Sequence, residues 1–351
     1  MWVRRENTTA TGGRGGNAAE NTMAFFNFAN MKHLYLPALV LLLACPTFAQ
    51  PAQPDSSRES YSLAITIDDL PAVTQQRSLE NFQEITRKIL TTLQHEKAPA
   101  IGFVNESKLY DNGQLLPGRL ALLEQWLDAG LDLGNHTFGH PDYHRISFEE
   151  FSADLLAGEE HTRALLRSRN RVLRYFRHPF LHTGNSPEKK RQLAEFLRSR
   201  SYLVAPVTID NAEYIFARAY DQARINGDSA TMRRVGEAYI PYMEAKTAFY
   251  EANSRALFGR NIAHTLLIHA NNLNADYLGA LLAMYRHRGY HFVRLAEALV
   301  DEAYQSADAY TGNGGITWLH RWAITRKVDK SFFAGEPACP EFVMELAGMR
   351  E

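Results

Sequence analysis

The chain is predicted to fold as an α/β protein built on a parallel sheet, either open or closed into a barrel. Short apolar runs alternate with longer amphipathic stretches, a pattern typical of strands connected by helices. No repeat of fixed period is visible in the sequence. The seven strand candidates are residues 63–67, 99–104, 131–134, 172–176, 202–209, 264–268 and 291–295.

Two stretches between these runs predict helices. Leu116, Leu120, Leu123 and Leu127 recur at helical spacing. Residues 211–260 interrupt the alternation and are rich in Ala, Glu and Arg, with Tyr and Phe spaced as on helices. They predict two or three inserted helices. We interpret their aromatic residues as helix-packing side chains rather than as a platform for sugars.

The first 59 residues are interpreted as segments that precede the domain. Residues 1–30 show no periodic apolar pattern and are read as an extension from an upstream start assignment, with Met31 as the true start. Residues 31–49 resemble a secretory signal peptide, because a short basic region precedes an apolar core and a small-residue cleavage site. Residues 50–59 are polar and rich in Pro and Ser, as expected of a linker.

A signal peptide implies an exported protein, either periplasmic or secreted. Leu42-Leu43-Ala44-Cys45 also resembles a lipoprotein cleavage box, so a lipid anchor at Cys45 is an alternative. Because Cys45 and Cys339 are the two cysteines of the sequence, the mature chain is expected to lack an internal disulfide. A net charge of −1 without a dense basic run argues against nucleic acid as the main partner. The oligomeric state stays open.

Two adjacent carboxylates, Asp68 and Asp69, follow the apolar run 63–67. Two charges at the end of a buried strand are costly to desolvate unless a cation neutralises them. A divalent metal on one carboxylate would leave the other ionised and free to act as a base. A helix N-cap or a turn is the alternative role of such a pair.

His136 and His140 follow the run 131–134, and imidazoles four residues apart can reach one metal where the turn is tight. Pro141 predicts a turn rather than a continuing helix at this point. The spacing is not specific by itself. The same spacing recurs at His140/His144, His178/His182 and His287/His291.

Two more strand candidates are followed by residues that could take part in catalysis. Arg177 could pair with a carboxylate and hold it ionised, and the backbone N–H of Phe180, after Pro179, could point into a cleft. His269 could act as a general acid, because its pKa lies near neutrality. Each has a structural alternative. However, all these residues follow predicted strands, and that edge of a parallel α/β sheet carries the active site.

With these residues in place, the chain resembles the polysaccharide deacetylase family, also called the NodB homology domain or carbohydrate esterase family 4. The resemblance covers residues 60–305 and leaves 306–351 as a C-terminal extension. In family order, Thr66-Ile67-Asp68-Asp69 resembles Thr-Phe-Asp-Asp, His136-Thr137-Phe138-Gly139-His140 resembles His-Ser/Thr-x-x-x-His, Arg177-His178-Pro179-Phe180 resembles Arg-x-Pro-Tyr/Phe, and Leu267-Ile268-His269 resembles Leu-x-His.

The resemblance implies a distorted (β/α) barrel of fewer than eight strands, here about seven parallel strands with the helical insertion. It implies a metal-dependent hydrolase that removes N-acetyl groups from an amino-sugar glycan. It implies a divalent metal, expected to be Zn²⁺, on Asp69, His136 and His140. It also implies that Asp68 is the base and that Arg177 orients it. The Phe180 backbone N–H would be the oxyanion donor and His269 the acid.

The chain also departs from the family pattern. The fourth motif, usually Asp-x-x-Asp-Trp, is reduced to Asp210-Asn211-Ala212-Glu213-Tyr214, and Asp210 is the candidate to orient His269 or Arg177. The aromatic residues of 312–322 could form a lid over the cleft. Two alternative functions stay open: a deacylase of an O-acetyl ester or small non-sugar amide on the same fold, and an inactive glycan-binding protein.

Overall fold

The computed structural model of the chain describes residues 61–351, which lie within one compact unit. The predicted N-terminal extension, signal peptide, linker and Cys45 lie outside the described residues and stay predictions. Cys339 is buried and carries a free thiol. Within residues 61–351, no helix combines the length and apolar character that a membrane crossing requires.

A seven-stranded sheet organises the fold, and all its pairs are parallel. The central strand β1 is buried along most of its length, as expected where helices cover both faces of a sheet. The order is β7-β6-β5-β2-β1-β8, and β9 also pairs with β1. The strands are β1 (Tyr61–Leu70), β2 (Ala100–Val104), β3 (Tyr110–Asp111), β4 (Gln114–Leu115), β5 (Asp132–Asn135), β6 (Tyr175–Phe176), β7 (Leu203–Val204), β8 (His264–His269) and β9 (Tyr290–Phe292), of which β3 and β4 form a separate antiparallel hairpin.

The chain that leaves β7 closes the sheet into a distorted barrel. Ile209 forms a parallel bridge with Leu266 of β8, and its N–H donates to the Thr265 carbonyl at 3.0 Å. The Leu267 N–H donates in turn to the Ile209 carbonyl at 3.2 Å. The predicted α/β barrel with about seven parallel strands is therefore confirmed. The predicted runs 172–176 and 202–209 are too long, because only two residues of each pair as a regular strand.

Helices surround this sheet. The helices are α1 (Leu79–His95), α2 (Pro117–Asp128), α3 (Phe148–Ala157), α4 (Glu160–Arg167), α5 (Pro187–Ser199), α6 (Glu213–Ile225), α7 (Ser229–Phe258), α8 (Asn272–His287), α9 (Leu295–Ala298), α10 (Trp318–Thr325) and α11 (Glu341–Ala347). The predicted helix around Leu116 to Leu127 corresponds to α2. The stretch 211–260, which interrupts the alternation, forms α6 and α7. Aromatic side chains of these two helices pack together, and the rings of Phe216 and Tyr242 have centroids 5.0 Å apart.

The C-terminal extension lines part of the cleft, but its two tryptophan side chains pack into the core instead of covering the cleft as a lid. Trp318 and Trp322 are buried, and the backbone N–H of Trp318 donates to the Val207 carbonyl at 2.8 Å. The Trp322 ring lies 5.6 Å from Phe258 and 5.7 Å from Tyr304. The expectation of an aromatic lid is therefore wrong, because apolar burial draws both indoles into the core.

Candidate active site

The candidate residues meet in a single cleft at the carboxyl ends of the strands. The cleft has a volume of about 740 Å³ and is lined by Asp68, Asp69, His136, His140, Phe180 and His269, among other residues. Arg177 lies behind the cleft, fully buried beneath Asp68. The tertiary fold thus brings together side chains that are separated by as much as 201 residues in the sequence, from Asp68 to His269.

Asp68 is a buried carboxyl group whose pKa lies near neutrality. Burial raises its pKa to about 6, although the positive charges of Arg177 and His269 oppose that rise. Its Oδ1 atom has no hydrogen-bond partner among the described residues. Such a group can be ionised at neutral pH and still accept a proton, as a general base must.

Arg177 contacts Asp68 as a charge rather than as a hydrogen-bond clamp. Its Nε atom lies 3.7 Å from Asp68 Oδ2, beyond hydrogen-bond distance. Its Nη2 atom donates to Thr66 Oγ1 at 2.5 Å, and its guanidinium lies 4.9 Å from the centre of the Phe103 ring. Arg177 is therefore held rigidly where its charge favours the ionised form of Asp68.

Asp69, His136 and His140 form a group that could hold a metal ion. Asp69 Oδ1 lies 3.9 Å from His136 Nε2 and 4.0 Å from His140 Nε2. A tetrahedral ion with bonds of roughly 2.0–2.1 Å separates its ligand atoms by about 3.4 Å, so the two carboxylate–imidazole distances exceed that separation by roughly half an ångström. Asp69, His140 and Phe180 have φ values of 71°, 58° and 56°, uncommon for residues other than glycine, as is frequent at functional sites.

The surroundings of these three residues fit a cation. Asp69 Oδ1 is buried without a hydrogen-bond partner among the described residues. The His136 Nδ1–H donates to the Arg177 carbonyl at 2.8 Å, which leaves Nε2 as the atom that faces Asp69. Burial lowers the pKa of both histidines, so that they are neutral, as metal ligands must be.

Lys108, which the sequence analysis did not identify, also contacts Asp69. Its Nζ atom lies 3.2 Å from Asp69 Oδ2 and donates to the Asp69 backbone carbonyl at 3.1 Å. Burial acts to raise the pKa of Asp69, but Lys108 and the nearby histidines hold it well below its usual range. Asp69 is therefore ionised, and one oxygen is fixed by Lys108 while the other faces the histidines.

Asp142, His144 and His182 also place one ligand atom each within 4.8 Å of one another. The rings of His144 and His182 stack in parallel, however, with centroids 3.8 Å apart and planes 7° apart. An imidazole binds a metal in the plane of its ring, and two stacked planes share no such position. His182 Nδ1 instead pairs with Asp142 Oδ1 at 2.6 Å, so Asp69, His136 and His140 are the better candidate group for a metal ion.

His269 is paired with a carboxylate that the sequence analysis misassigned. Its Nδ1–H donates to Glu213 Oε2 at 2.7 Å, so Glu213, and not Asp210, orients the imidazole. Glu213 is buried and also accepts hydrogen bonds from Asn271 and Asn274. Asp210 was chosen because it is the first residue of the degenerate motif, and it does line the cleft. Glu213, however, is the first residue of α6 and is turned toward His269 of β8.

The charge of Glu213 decides the protonation state of His269. Burial acts to lower the pKa of His269, but Glu213, together with Asp69 and Asp68, raises it to about 9. His269 is therefore protonated at neutral pH. A protonated imidazole in the cleft is a ready proton donor.

Phe180 lies at the rim of the cleft. Its side chain is 51% exposed, and its ring lies 4.5 Å from that of His140. None of the hydrogen bonds within residues 61–351 uses its backbone N–H. That N–H is therefore free to donate to a bound group.

Comparisons with known proteins found one family match and several similar structures. The sequence model of the family described as polysaccharide deacetylase matches residues 55–202. The matched residues include the two strand-end carboxylates, both candidate histidine ligands and Arg177, and they end before Glu213 and His269. The search of curated proteins gave no match.

Several solved structures are similar to the chain. Chitin deacetylase from Colletotrichum lindemuthianum has 19% identity and a TM-score of 0.46, covering 68% of this chain and 86% of that chain. Peptidoglycan deacetylase PdaC from Bacillus subtilis has 18% identity and a TM-score of 0.42, covering 68% and 90%. A carbohydrate esterase family 4 pseudoenzyme from Bacillus anthracis has 14% identity and a TM-score of 0.43, covering 68% and 66%. The match over residues 55–202, with the motifs that it contains, shows that this part of the chain is similar to the polysaccharide deacetylase family.

Proposed function

We propose that the chain is a metal-dependent hydrolase that removes N-acetyl groups from an amino-sugar glycan. One observation carries the proposal: a candidate base, a candidate metal-binding group and a protonated candidate acid line the same cleft. Asp68 is the base, Asp69, His136 and His140 are the metal ligands, and His269 is the acid.

A divalent ion fits the three proposed ligands. Two imidazole nitrogens and one carboxylate oxygen form a donor set that zinc enzymes use, and the buried Asp69 Oδ1 lacks another partner among the described residues. We therefore propose Zn²⁺ as the metal. A divalent ion held by these residues would acidify a water molecule and polarise the substrate carbonyl.

The side chains of the cleft supply the proton transfers. Asp68 accepts the proton of the attacking water, and the charge of Arg177 keeps it ionised for this task. The Phe180 N–H donates to the oxyanion as it develops on the acyl oxygen. His269, held by Glu213, donates a proton to the leaving amine. The products are acetate and a free amino sugar.

We also propose that residues 60–305 form the catalytic domain and that the protein acts outside the cytoplasm. The second proposal rests on the signal-peptide pattern of residues 31–49. Cell fractionation tests it, and metabolic labelling with a fatty acid distinguishes a lipid anchor at Cys45 from cleavage after Ala49.

Acetate release is the direct test of the activity. The full chain, loaded with Zn²⁺, is incubated with acetylated glucosamine oligomers, peptidoglycan and acetylated xylan, with and without a chelator. We expect chelator-sensitive release from an N-acetylated glycan. Release from xylan alone indicates an O-acetyl esterase. The absence of release from every substrate, with stoichiometric metal bound, contradicts the proposal and favours either a small non-sugar amide substrate or a glycan-binding protein.

A further inference from the structure

Phe180 and Leu181 adopt a backbone conformation that is unfavourable by itself. Their φ values are 56° and 55°, in the left-handed region that residues other than glycine seldom occupy. Such a conformation persists where surrounding contacts hold it. Residues 179–183 are here named the Phe180 turn. The Leu181 N–H donates to the His178 carbonyl and the His182 N–H to the Pro179 carbonyl, each at 3.0 Å, but neither bond fixes the carbonyl of Phe180 or Leu181.

The C-terminal extension packs directly against the first of these carbonyls. A Cβ atom on Gly315 would overlap the Phe180 carbonyl oxygen and lie 3.0 Å from the carbonyl carbon. Only a glycine permits so close an approach between two backbone segments. Gly315 and the two residues after it line the same cleft as Phe180. The backbone at Gly315 therefore limits where the Phe180 carbonyl can lie.

A buried arginine of the same extension holds the rest of the Phe180 turn. Arg321 belongs to α10 and is fully buried. Its Nη2 atom donates to the Leu181 carbonyl, and its Nη1 atom donates to Thr183 Oγ1 at 2.8 Å. Its Nε atom donates to the Ile316 carbonyl at 3.0 Å. One guanidinium thus joins the Phe180 turn to the cleft-lining segment of the extension.

The guanidinium of Arg321 is itself held in place. Its carbon lies 4.5 Å from the centre of the Trp318 ring and 5.1 Å from the centre of the Tyr310 ring. Its Nη1 atom lies 3.6 Å from Asp308 Oδ2. Contact with two aromatic rings and a planar set of donors restrict its rotation, so it can act as a rigid support for the turn.

We propose that the C-terminal extension positions the oxyanion donor, with Gly315 and Arg321 as positioning residues that act through the Phe180 backbone. This inference rests on the proposed function, in which the Phe180 N–H stabilises the oxyanion. A donor of this kind must lie within about 2.7–3.1 Å of the oxyanion, and its loss costs about 10²- to 10³-fold in kcat. A small displacement of the Phe180 turn should therefore be visible in turnover. The extension lies outside residues 55–202, which the family model matches.

Two adjacent glycines provide a matched pair of variants. Gly315→Ala forces the Phe180 carbonyl to move, whereas a Cβ atom on Gly314 would meet its nearest atoms, Tyr310 Oη and Ile316 Cγ2, at ordinary distances of 3.4 and 3.5 Å. We expect Gly315→Ala to lower kcat for acetate release at least roughly tenfold while KM stays within about twofold, because an oxyanion donor acts on the transition state. Gly314→Ala should keep the wild-type kcat.

The outcomes of this comparison separate the inference from the proposed function. Equal kcat values for Gly315→Ala and Gly314→Ala overturn the positioning role and leave the deacetylase function intact. A fall in kcat accompanied by loss of bound Zn²⁺, measured by elemental analysis, also contradicts it, because the defect then lies in the metal ligands. If the wild-type chain releases no acetate from any substrate, the proposed function itself fails.

Arg321 is tested by graded replacement. Arg321→Lys keeps a positive charge and one donor group, whereas Arg321→Met removes both. We expect kcat to fall in the order wild type, Lys, Met at nearly constant KM, with both limbs of the pH profile in place. Arg171→Met is the control, because Arg171 Nη1 donates to the Leu131 carbonyl at 2.7 Å, away from the cleft lining. Equal kcat values for Arg321→Met and Arg171→Met contradict the role of Arg321.

Amide hydrogen exchange tests the same support without turnover. The hydrogen-bonded N–H groups of Leu181 and His182 exchange slowly as long as the Phe180 turn keeps its conformation. We expect exchange in the peptide that covers 179–183 to be at least roughly tenfold faster in Gly315→Ala and Arg321→Met than in Gly314→Ala. Equal exchange in the three variants shows that the turn holds its conformation without the extension, and overturns the proposal.

Discussion

Asp68 and His269 are register partners on the neighbouring parallel strands β1 and β8. The candidate base and the candidate acid therefore stand side by side at the same end of the sheet, and both line the cleft. Their different surroundings separate their pKa values, since Asp68 titrates near 6 and His269 near 9. Such a separation suits one group to accept a proton and the other to donate one at neutral pH.

Replacing the base should abolish turnover without removing the metal. Asp68→Asn keeps the shape of the side chain but cannot accept a proton. We expect kcat to fall about 10²- to 10⁴-fold, while the bound metal, measured by elemental analysis, stays stoichiometric. Turnover at the wild-type rate contradicts the assignment of Asp68 as the base.

The pH profile should report both groups. Activity requires ionised Asp68, so kcat/KM should fall as the pH drops below about 6, and it requires protonated His269, so kcat/KM should fall as the pH rises above about 9. Glu213→Gln keeps a hydrogen-bond acceptor but removes the charge that raises the pKa of His269. We expect the basic limb to move to lower pH in this variant and the acidic limb to stay in place. An unmoved basic limb shows that His269 is not the acid or that Glu213 does not set its pKa.

Metal binding should depend on His136 and not on His144. His136→Ala removes a buried ligand atom, and we expect loss of stoichiometric Zn²⁺ in a dialysed sample. His144→Ala is the matched control, because His144 stacks on His182 in the second group of potential ligands. Retention of metal by His136→Ala, or its loss from His144→Ala, is incompatible with the assigned site.

Gly158 should be required for the geometry of the loop that carries both histidine ligands. A Cβ atom at this position would lie 2.4 Å from the carbonyl carbon of Thr137 and 2.6 Å from the Phe138 nitrogen. We expect Gly158→Ala to lower the free energy of unfolding by about 1–3 kcal/mol and to weaken Zn²⁺ binding.

A second glycine provides the control for that variant. In α8, a Cβ atom at Gly279 would meet only Thr92 Cγ2, at an ordinary distance of 3.8 Å. We expect Gly279→Ala to raise the free energy of unfolding by about 0.5–1 kcal/mol in urea titrations. If the two variants change stability equally, close packing against Thr137 does not limit this loop.

The sequence was sufficient to predict where the candidate residues that follow buried strands would lie. The apolar run before Asp68 and Asp69, and those before His136, Arg177 and His269, predicted strands, and the carboxyl ends of parallel strands meet at a common edge. The barrel with about seven strands was predicted for the same reason, because alternation of short apolar runs with amphipathic stretches is a local property of the chain.

Only the tertiary structure identified the residues that tune this site. Glu213 lies 56 residues from His269 and Lys108 lies 39 residues from Asp69, and neither follows a strand in a pattern that marks it. The pair Lys246–Glu336 forms because the insertion and the C-terminal extension meet across the cleft. Periodicity is encoded within a few neighbouring residues, whereas these ion pairs depend on how separate elements pack. The sequence therefore determined the strands and the position of the candidate residues at their ends, and the packing of elements decided their partners, their pKa values and the shape of the cleft.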